Sequence, residues 1–95
     1  MAVLTLTQAL CILKIMEQFE LVSRIEKIEP IAQGRGIRVL PHLLKQYGGK
    51  PAAWKKKKGR ATIRQFGHLY DAELHWFEAH GIGKVNMKIK WKRRL

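Results

Sequence analysis

The feature that most restricts the fold of this chain is a two-residue alternation of apolar and polar side chains over residues 60–91. Glycines interrupt the alternation at Gly67 and Gly81, each beside a histidine. Such alternation is typical of strands with one buried face, and short glycine-containing breaks are typical of hairpins. The pattern predicts three antiparallel strands, at about 60–66, 69–78 and 83–91.

The two glycine turns also predict a register, because a two-residue loop fixes which residues of a hairpin face each other. With loops at His80–Gly81 and Gly67–His68, apolar residues oppose apolar ones and polar residues oppose polar ones. The apolar pairs are Trp76–Val85, Leu74–Met87, Ala72–Ile89, Ile63–Ala72 and Ala61–Leu74, and the polar pairs are His75–Asn86, Glu73–Lys88, Arg64–Asp71, Thr62–Glu73 and Arg60–His75. The predicted sheet therefore has one apolar face, which needs a cover, and one polar face.

Helical spacing dominates the amino-terminal half. Thr5 and Gln8 form a capping-box pattern, and apolar residues then recur at helical spacing as far as Met16. The spacing continues to Ile28, although residues 20–28 also suit an extended or second helical segment that ends before Pro30. A basic loop at residues 32–36 follows, then a short helix near residues 40–47, and then a lysine-rich connector at residues 49–59.

These elements predict an α+β fold in which amino-terminal helices pack on one face of an antiparallel three-strand meander. A chain of 95 residues has room for one modest core. We therefore expect a single domain over residues 1–95, with a helical part at 1–48, the basic connector at 49–59 and the meander at 60–95.

The net charge of +12 is concentrated in the second part of the chain. Residues 1–30 hold three basic and four acidic side chains, whereas residues 31–95 hold sixteen basic and three acidic ones. A surface of this kind favours a polyanionic partner, because lysines and arginines that neutralise phosphates release condensed counterions. The sequence predicts RNA as the partner, with DNA as the alternative.

Several classes of function are disfavoured. The apolar run at residues 2–16 lacks a preceding basic residue and is interrupted by Lys14, so it does not resemble a signal peptide, and no segment approaches the ~20 apolar residues of a membrane span. Cys11 is the single cysteine, which suits a reducing compartment. We expect a cytoplasmic protein with no membrane partner.

Metal and cofactor sites are also disfavoured. His42, His68 and His80 show no metal-ligand spacing, and no phosphate-binding glycine loop is present, so we expect neither metal nor cofactor.

The polar face of the predicted sheet carries a candidate active site. RNA cleavage needs a group that accepts the 2′-hydroxyl proton, a group that protonates the leaving oxygen, and cations that stabilise the phosphorane-like transition state. Either Glu73 or His75 suits the role of base or acid, and Arg60, Lys84 and Lys88 are placed to stabilise the charge, without a metal. The residues predicted to bind nucleic acid, by charge or by stacking on bases, are Trp54, Lys55, Lys56, Lys57, Lys58, Arg60, Arg64, Lys84, Asn86 and Lys90, with Phe77 on the same face.

The second half of the chain also resembles a known group of proteins, on the segments Trp54–Gly59, Ala72–Glu78, Gly83–Val85 and Lys88–Lys90. These segments are similar to the carboxy-terminal domains of bacterial polymorphic toxins and small stand-alone relatives. The layout resembles metal-independent ribonuclease toxins of the barnase, colicin and RelE type. The resemblance implies RNA cleavage on the open sheet face, by Glu73, His75 and the lysines of the third strand, and an acidic immunity or antitoxin partner.

Two other functions remain open. The first is a non-catalytic nucleic-acid-binding module of a ribonucleoprotein or mobile-element complex, which would not need the pairing of Glu73 with His75. The second is a small basic interaction or inhibitor protein that engages an acidic partner. An endoribonuclease therefore stays one expectation among three.

Overall fold

The structure, a computed structural model, describes residues 18–95. The predicted helix between Thr5 and Met16 lies outside the described residues. The described chain forms a five-stranded antiparallel sheet, and one α-helix lies between the second and third strands along the chain. The elements are β1 (Glu20–Leu21), β2 (Glu26–Gln33), α1 (Leu40–Tyr47), β3 (Lys55–Gln65), β4 (His68–Ala79) and β5 (Gly83–Arg94), with 3-10 turns at Gly34–Gly36 and Pro51–Ala53. The predicted fold class, helices on a three-strand meander, is therefore wrong.

The segment before Pro30 contains two strands, which agrees with the extended alternative of the sequence analysis and not with a continued helix. β1 and β2 both pair with β3, and β2 runs through Pro30, which lies opposite Lys57. Proline cannot donate to a sheet ladder and is tolerated on an edge strand. Within residues 18–95 β2 pairs with β3 alone, so it is an edge strand. No described strand lies on its other side, and the missing N–H of Pro30 therefore costs no hydrogen bond there. The helical spacing of residues 19–28 was overridden by this pairing.

The lysine run also forms a strand. Residues 55–58, predicted as part of a connector, open β3, an interior strand that pairs with β1, β2 and β4. Alternation divides the run, since Lys56 and Lys58 lie on one face and Lys55 and Lys57 on the other. Carboxylates on neighbouring strands compensate part of this charge: Lys57 lies 3.2 Å from Glu78, and Lys58 lies 3.7 Å from Glu29. Lysine is depleted in strands, so sequence preference disfavoured this strand, and cross-strand pairing overrides that preference.

The β3–β4 hairpin turns one residue earlier than predicted. Its loop is Phe66–Gly67, and both residues have positive φ, 53° and 78°. The register is consequently shifted by two residues, so that Ala61 faces Ala72 and Arg60 faces Glu73. A shift of two preserves the faces, because side chains alternate with a period of two. The predicted division into an apolar and a polar face therefore survives although every individual β3–β4 pair changes.

The β4–β5 hairpin has a three-residue loop, His80–Ile82, where two residues were predicted. Two register irregularities follow, one near His75 and one near Glu73. The longer loop alone makes Val85 face Phe77 instead of Trp76, and the loop together with the first irregularity makes Lys88 face His75 instead of Glu73. The observed pairs Leu74–Ile89 and Ala72–Lys92 replace the predicted Leu74–Met87 and Ala72–Ile89. The bulges restore apolar contacts on the buried side, since Met87 and Ile89 still pack near Leu74.

Two hydrophobic clusters lie on opposite faces of the sheet. The first, on the predicted apolar face, consists of Ala61, Ile63, Ala72, Leu74 and Trp76. The second joins α1 to the other face at the loop end of β4, and it consists of Ile37, Leu40, Leu43, Trp54 and Ala79. Fully burying one large apolar side chain stabilises the fold by about 1.5–3 kcal/mol. The described helix thus covers the end of the polar face, not the apolar face as predicted.

Candidate nucleic-acid interface

The polar face is an ordered grid of side chains from the three long strands. Its rows run across β3, β4 and β5, and the pairing of the strands places the members of a row side by side. Starting from the end that α1 covers, the rows are Lys56–Phe77–Val85, Lys58–His75–Lys88 and Arg60–Glu73–Trp91. We call these nine residues the polar grid. Carboxylate and imidazole occupy its central strand: lysines flank His75 on both sides, and Arg60 and Trp91 flank Glu73.

Glu73 and His75 are in direct contact at the centre of the grid. His75 Nε2 and Glu73 Oε2 are 3.0 Å apart, and their side chains are 16% and 26% exposed. The hydrogen bond from His75 holds the pKa of Glu73 below its usual range, and the charges of Lys58 and Arg60 act in the same direction. Glu73 is therefore a carboxylate at neutral pH. His75 Nδ1 is buried without a partner among the described residues, so the imidazole is held mainly through Glu73.

Arg60 organises the next part of the face. Its Nη2 donates to Asp71 Oδ2 at 2.6 Å, and its guanidinium carbon lies 4.4 Å from the centroid of the Trp91 ring. Arg93 approaches the same carboxylate oxygen at 3.4 Å. The hydrogen bond from Arg60 is the main cause that lowers the pKa of Asp71. One carboxylate thus holds two arginines at the end of the grid where Glu73 lies.

Three lysines of the polar side make no ion pair with a carboxylate of residues 18–95. Lys56 Nζ lies 5.7 Å from the centroid of the Phe77 ring, a cation–π contact. Lys88 and Lys90 are exposed, and no carboxylate of residues 18–95 lies within ion-pair distance of either. Asn86, in the bulge beside them, accepts a hydrogen bond from the Tyr47 hydroxyl at 2.9 Å. An open cleft is bordered by this group, including Lys56, His75, Phe77, Asn86, Lys88 and Lys90.

The structure places several predicted binding residues elsewhere. Trp54 is fully buried against α1, and its indole N–H donates to the Gly48 carbonyl at 3.0 Å, so its ring is not available to stack on a base. Lys55 and Lys57 point to the side opposite the polar grid. Lys84 also lies there, 5.9 Å from the Trp76 ring centroid. Arg64 lies on the polar side but pairs with Glu20 at 3.0 Å. The interface is therefore narrower than predicted.

Sequence reasoning overlooked two aromatic residues. Trp91 was read as the end of the third strand, yet it stacks against Arg60 beside Glu73. The sequence predicts Phe66 as the last residue of the first strand, yet it lies in the turn and is the most exposed aromatic residue among those described. The signal for Trp91 was available, because it stands between Lys90 and Lys92 and continues the strand that carries Lys88 and Lys90. For Phe66 the sequence argued against a turn position, because bulky residues rarely adopt a positive φ.

Metal and membrane features are both missing from the described part of the chain. Residues 18–95 hold no group of three or more histidine, cysteine, aspartate or glutamate side chains that would bind a metal ion. No helix among these residues is long and apolar enough to span a membrane.

Comparisons with known proteins return nothing for this chain. No protein-family model matches the sequence, no curated protein is similar to it, and no solved structure matches its fold. The resemblance to ribonuclease toxins therefore stays a prediction.

Proposed function

We propose that this protein binds single-stranded RNA across the polar grid. The observation that carries the proposal is the row arrangement, in which the half-buried Lys56 and the exposed Lys88 flank a strand whose half-buried Phe77 and His75 border the same open cleft. Cations next to ring systems are the combination that single-stranded nucleic acids use, because phosphates take the charge and bases stack on the rings. A duplex would bury its bases and leave the rings unused.

Charge distribution supports the same surface. Four of the five described acidic residues on the polar side are each held by a neighbouring cation or imidazole: Glu20 by Arg64, Glu29 by Lys58, Asp71 by Arg60 and Glu73 by His75. The fifth, Glu26, lies opposite Arg60 and makes no ion pair with the described residues. Exposed pairs of this kind contribute little to stability. They do neutralise the carboxylates that would otherwise repel phosphate, so the excess charge of Lys56, Lys88 and Lys90 dominates the field at the cleft.

Cleavage of the bound RNA is a second candidate function, favoured by the Glu73–His75 contact. Glu73 is ionised at neutral pH and is a candidate to accept the 2′-hydroxyl proton. His75 orients it by donating to Oε2, which leaves Oε1 for the substrate. Lys58 and Lys88, one on each side of His75, would stabilise negative charge on the phosphorus oxygens. Binding alone does not require such a pair, and this sets the two functions apart.

The binding proposal is tested with two triple variants that remove equal charge. Lys56, Lys88 and Lys90 are changed to glutamine in one, and Arg35, Lys45 and Lys50, which lie outside the strands, are changed in the other. Affinity for a fluorescein-labelled oligouridine is measured by anisotropy over a range of salt concentrations. Each lost phosphate contact reduces the slope of log affinity against log salt by about 0.7.

We expect the strand variant to lower affinity at least tenfold and to flatten the salt slope by about two, two to three contacts being lost. The control variant should change both much less. Circular dichroism confirms that each variant is folded. An equal loss of affinity in both variants would mean that binding depends on net charge alone, and it would overturn the assignment of RNA binding to the polar grid. Tighter binding to duplex DNA than to single strands would overturn the choice of RNA.

A further inference from the structure

A second concave surface lies on the other side of β5, where the turn at Phe66–Gly67 approaches that strand. The cleft has a volume of about 510 Å³ and is lined by Gln65 and Phe66 from the hairpin and by residues 87–92 of β5. Its size falls within the range of about 300–1,000 Å³ that is usual for small-molecule sites. Met87 and Ile89 supply apolar lining, and Phe66 supplies an aromatic ring.

Phe66 is displayed in this cleft at a conformational cost. Its φ of 53°, followed by 78° at Gly67, corresponds to a type I′ turn, which favours asparagine followed by glycine. Positive φ is unusual for a bulky residue. The residue is also 63% exposed, so it gains little from burial. Neither the turn nor the core therefore explains a phenylalanine at this position.

A cation is held beside the ring. Lys92 Nζ lies 5.8 Å from the centroid of Phe66 and 4.5 Å from the centroid of Tyr70. The same ammonium donates to Gln65 Oε1 at 2.6 Å. These three contacts fix a normally flexible side chain, so the positive charge has a defined position next to an exposed aromatic face. That is the pairing that binds a base through its π-face and the attached phosphate through charge.

We propose that this cleft binds one unpaired nucleobase of single-stranded RNA, stacked on Phe66, with its phosphate near Lys92. The proposal rests on the RNA binding proposed above and extends it to a second contact on the opposite side of β5. A concave site with apolar lining suits a flat heterocycle better than it suits a bilayer surface, which would require a protruding patch.

The turn conformation makes a sharp test available. Phe66→Asn removes the ring and supplies the residue that a type I′ turn prefers, so the variant should be at least as stable as the wild type. Phe66→Trp retains an aromatic face. Leu69→Asn removes an exposed apolar side chain from the same hairpin but from outside the cleft, and it is the matched control. The probes are a labelled octaadenylate, measured by anisotropy, and free adenosine monophosphate, measured by amide chemical shifts.

We expect Phe66→Asn to weaken octaadenylate binding about tenfold, the loss of one stacked base, with an unchanged or higher melting temperature. Phe66→Trp and Leu69→Asn should bind within about twofold of the wild type. Wild-type affinity in Phe66→Asn would overturn the proposal.

Adenosine monophosphate should shift the amides of Phe66 and Lys92. If the wild type binds no oligonucleotide, the proposed function fails, and missing nucleotide shifts would then overturn the cleft as well. If Phe66→Asn loses binding to vesicles of phosphatidylcholine and phosphatidylglycerol but keeps its binding to octaadenylate, Phe66 contacts a membrane surface and the proposal is overturned.

Discussion

Arg60 crosses β4 to reach Trp91, and the two side chains meet with the guanidinium carbon 4.4 Å from the ring centroid. Both residues are register neighbours of Glu73, one on each side. Adjacent strands lie about 4.8 Å apart, so the pair spans two strand spacings across the row that contains Glu73. The contact therefore links β3 to β5, strands that do not pair with each other.

A double-mutant cycle measures this link. Arg60→Met and Trp91→Leu, alone and together, should show a coupling free energy of about 0.5–1 kcal/mol in urea unfolding, the usual strength of a partly exposed cation–π contact. Arg60→Met alone should cost more, because it also leaves Asp71 without its closest partner. Additive effects of the two substitutions would show that the contact contributes nothing to stability.

Gly59 is predicted to tolerate no larger residue. A Cβ atom added there would lie 2.4 Å from the Ile25 side chain and 3.1 Å from the Glu26 carbonyl oxygen. The segment leading into β2 passes directly over β3 at this point, so Gly59→Ala forces the two apart. We expect a loss of about 1–3 kcal/mol in the free energy of unfolding, measured with urea. Gly36→Ala, where nothing lies within 4 Å of the added atom, is the control and should cost much less.

Acid should destabilise the fold through its carboxylates. The pKa values of Asp71, Glu73 and Glu78 are lowered in the folded chain, chiefly by hydrogen bonds from Arg60, His75 and Trp76 respectively. Their contribution is complete above the ordinary pKa values of about 4 and is lost as pH falls through the lower folded values. The midpoint of urea unfolding should therefore be constant from pH 7 to about 5 and decrease below that. Asp71→Asn should reduce the decrease, and an equal decrease in this variant would exclude Asp71 as a source.

Part of this architecture was accessible from the sequence. The alternation of residues 60–91 predicted that Leu74 and Trp76 are buried and that Glu73 and His75 share the other face, and the apolar spacing near Pro41 predicted α1; the structure confirms both. Period-two patterns determine faces reliably because any even shift in register leaves them unchanged.

The sequence-based errors have definite physical origins. Turn chemistry favoured Gly67–His68 because phenylalanine is disfavoured at positive φ, yet Phe66 occupies that position. Bulges in the β4–β5 pairing carry no simple sequence signature, so the partners of Glu73 and His75 were wrong. Trp54 looked like a surface aromatic because lysines follow it, although it packs in the core beneath α1.

Cleavage by the proposed site predicts a specific loss. Glu73→Gln should lower chelator-resistant cleavage of total cellular RNA by about a hundredfold or more, with affinity within severalfold of the wild type. Glu78→Gln is the matched control, because Glu78 pairs with Lys57 on the opposite side of the sheet. If Glu73 is the base, activity should fall only as pH drops below about 5, because its pKa is lowered. A decline that begins near pH 7 would assign the base to a histidine. No cleavage by folded wild type would leave binding as the sole function.

The most direct measurement of the central claim is an amide chemical-shift titration of the isotopically labelled protein with octauridylate at low salt. Binding on the polar grid predicts the largest shifts at Lys56, Lys58, His75 and Lys88, in the two rows next to the covered end of the sheet. The amides of α1 that face away from the cleft, such as that of Lys45, should move little. Shifts confined to α1 and β2, or spread evenly over the exposed cations, would contradict the assignment of RNA to this face.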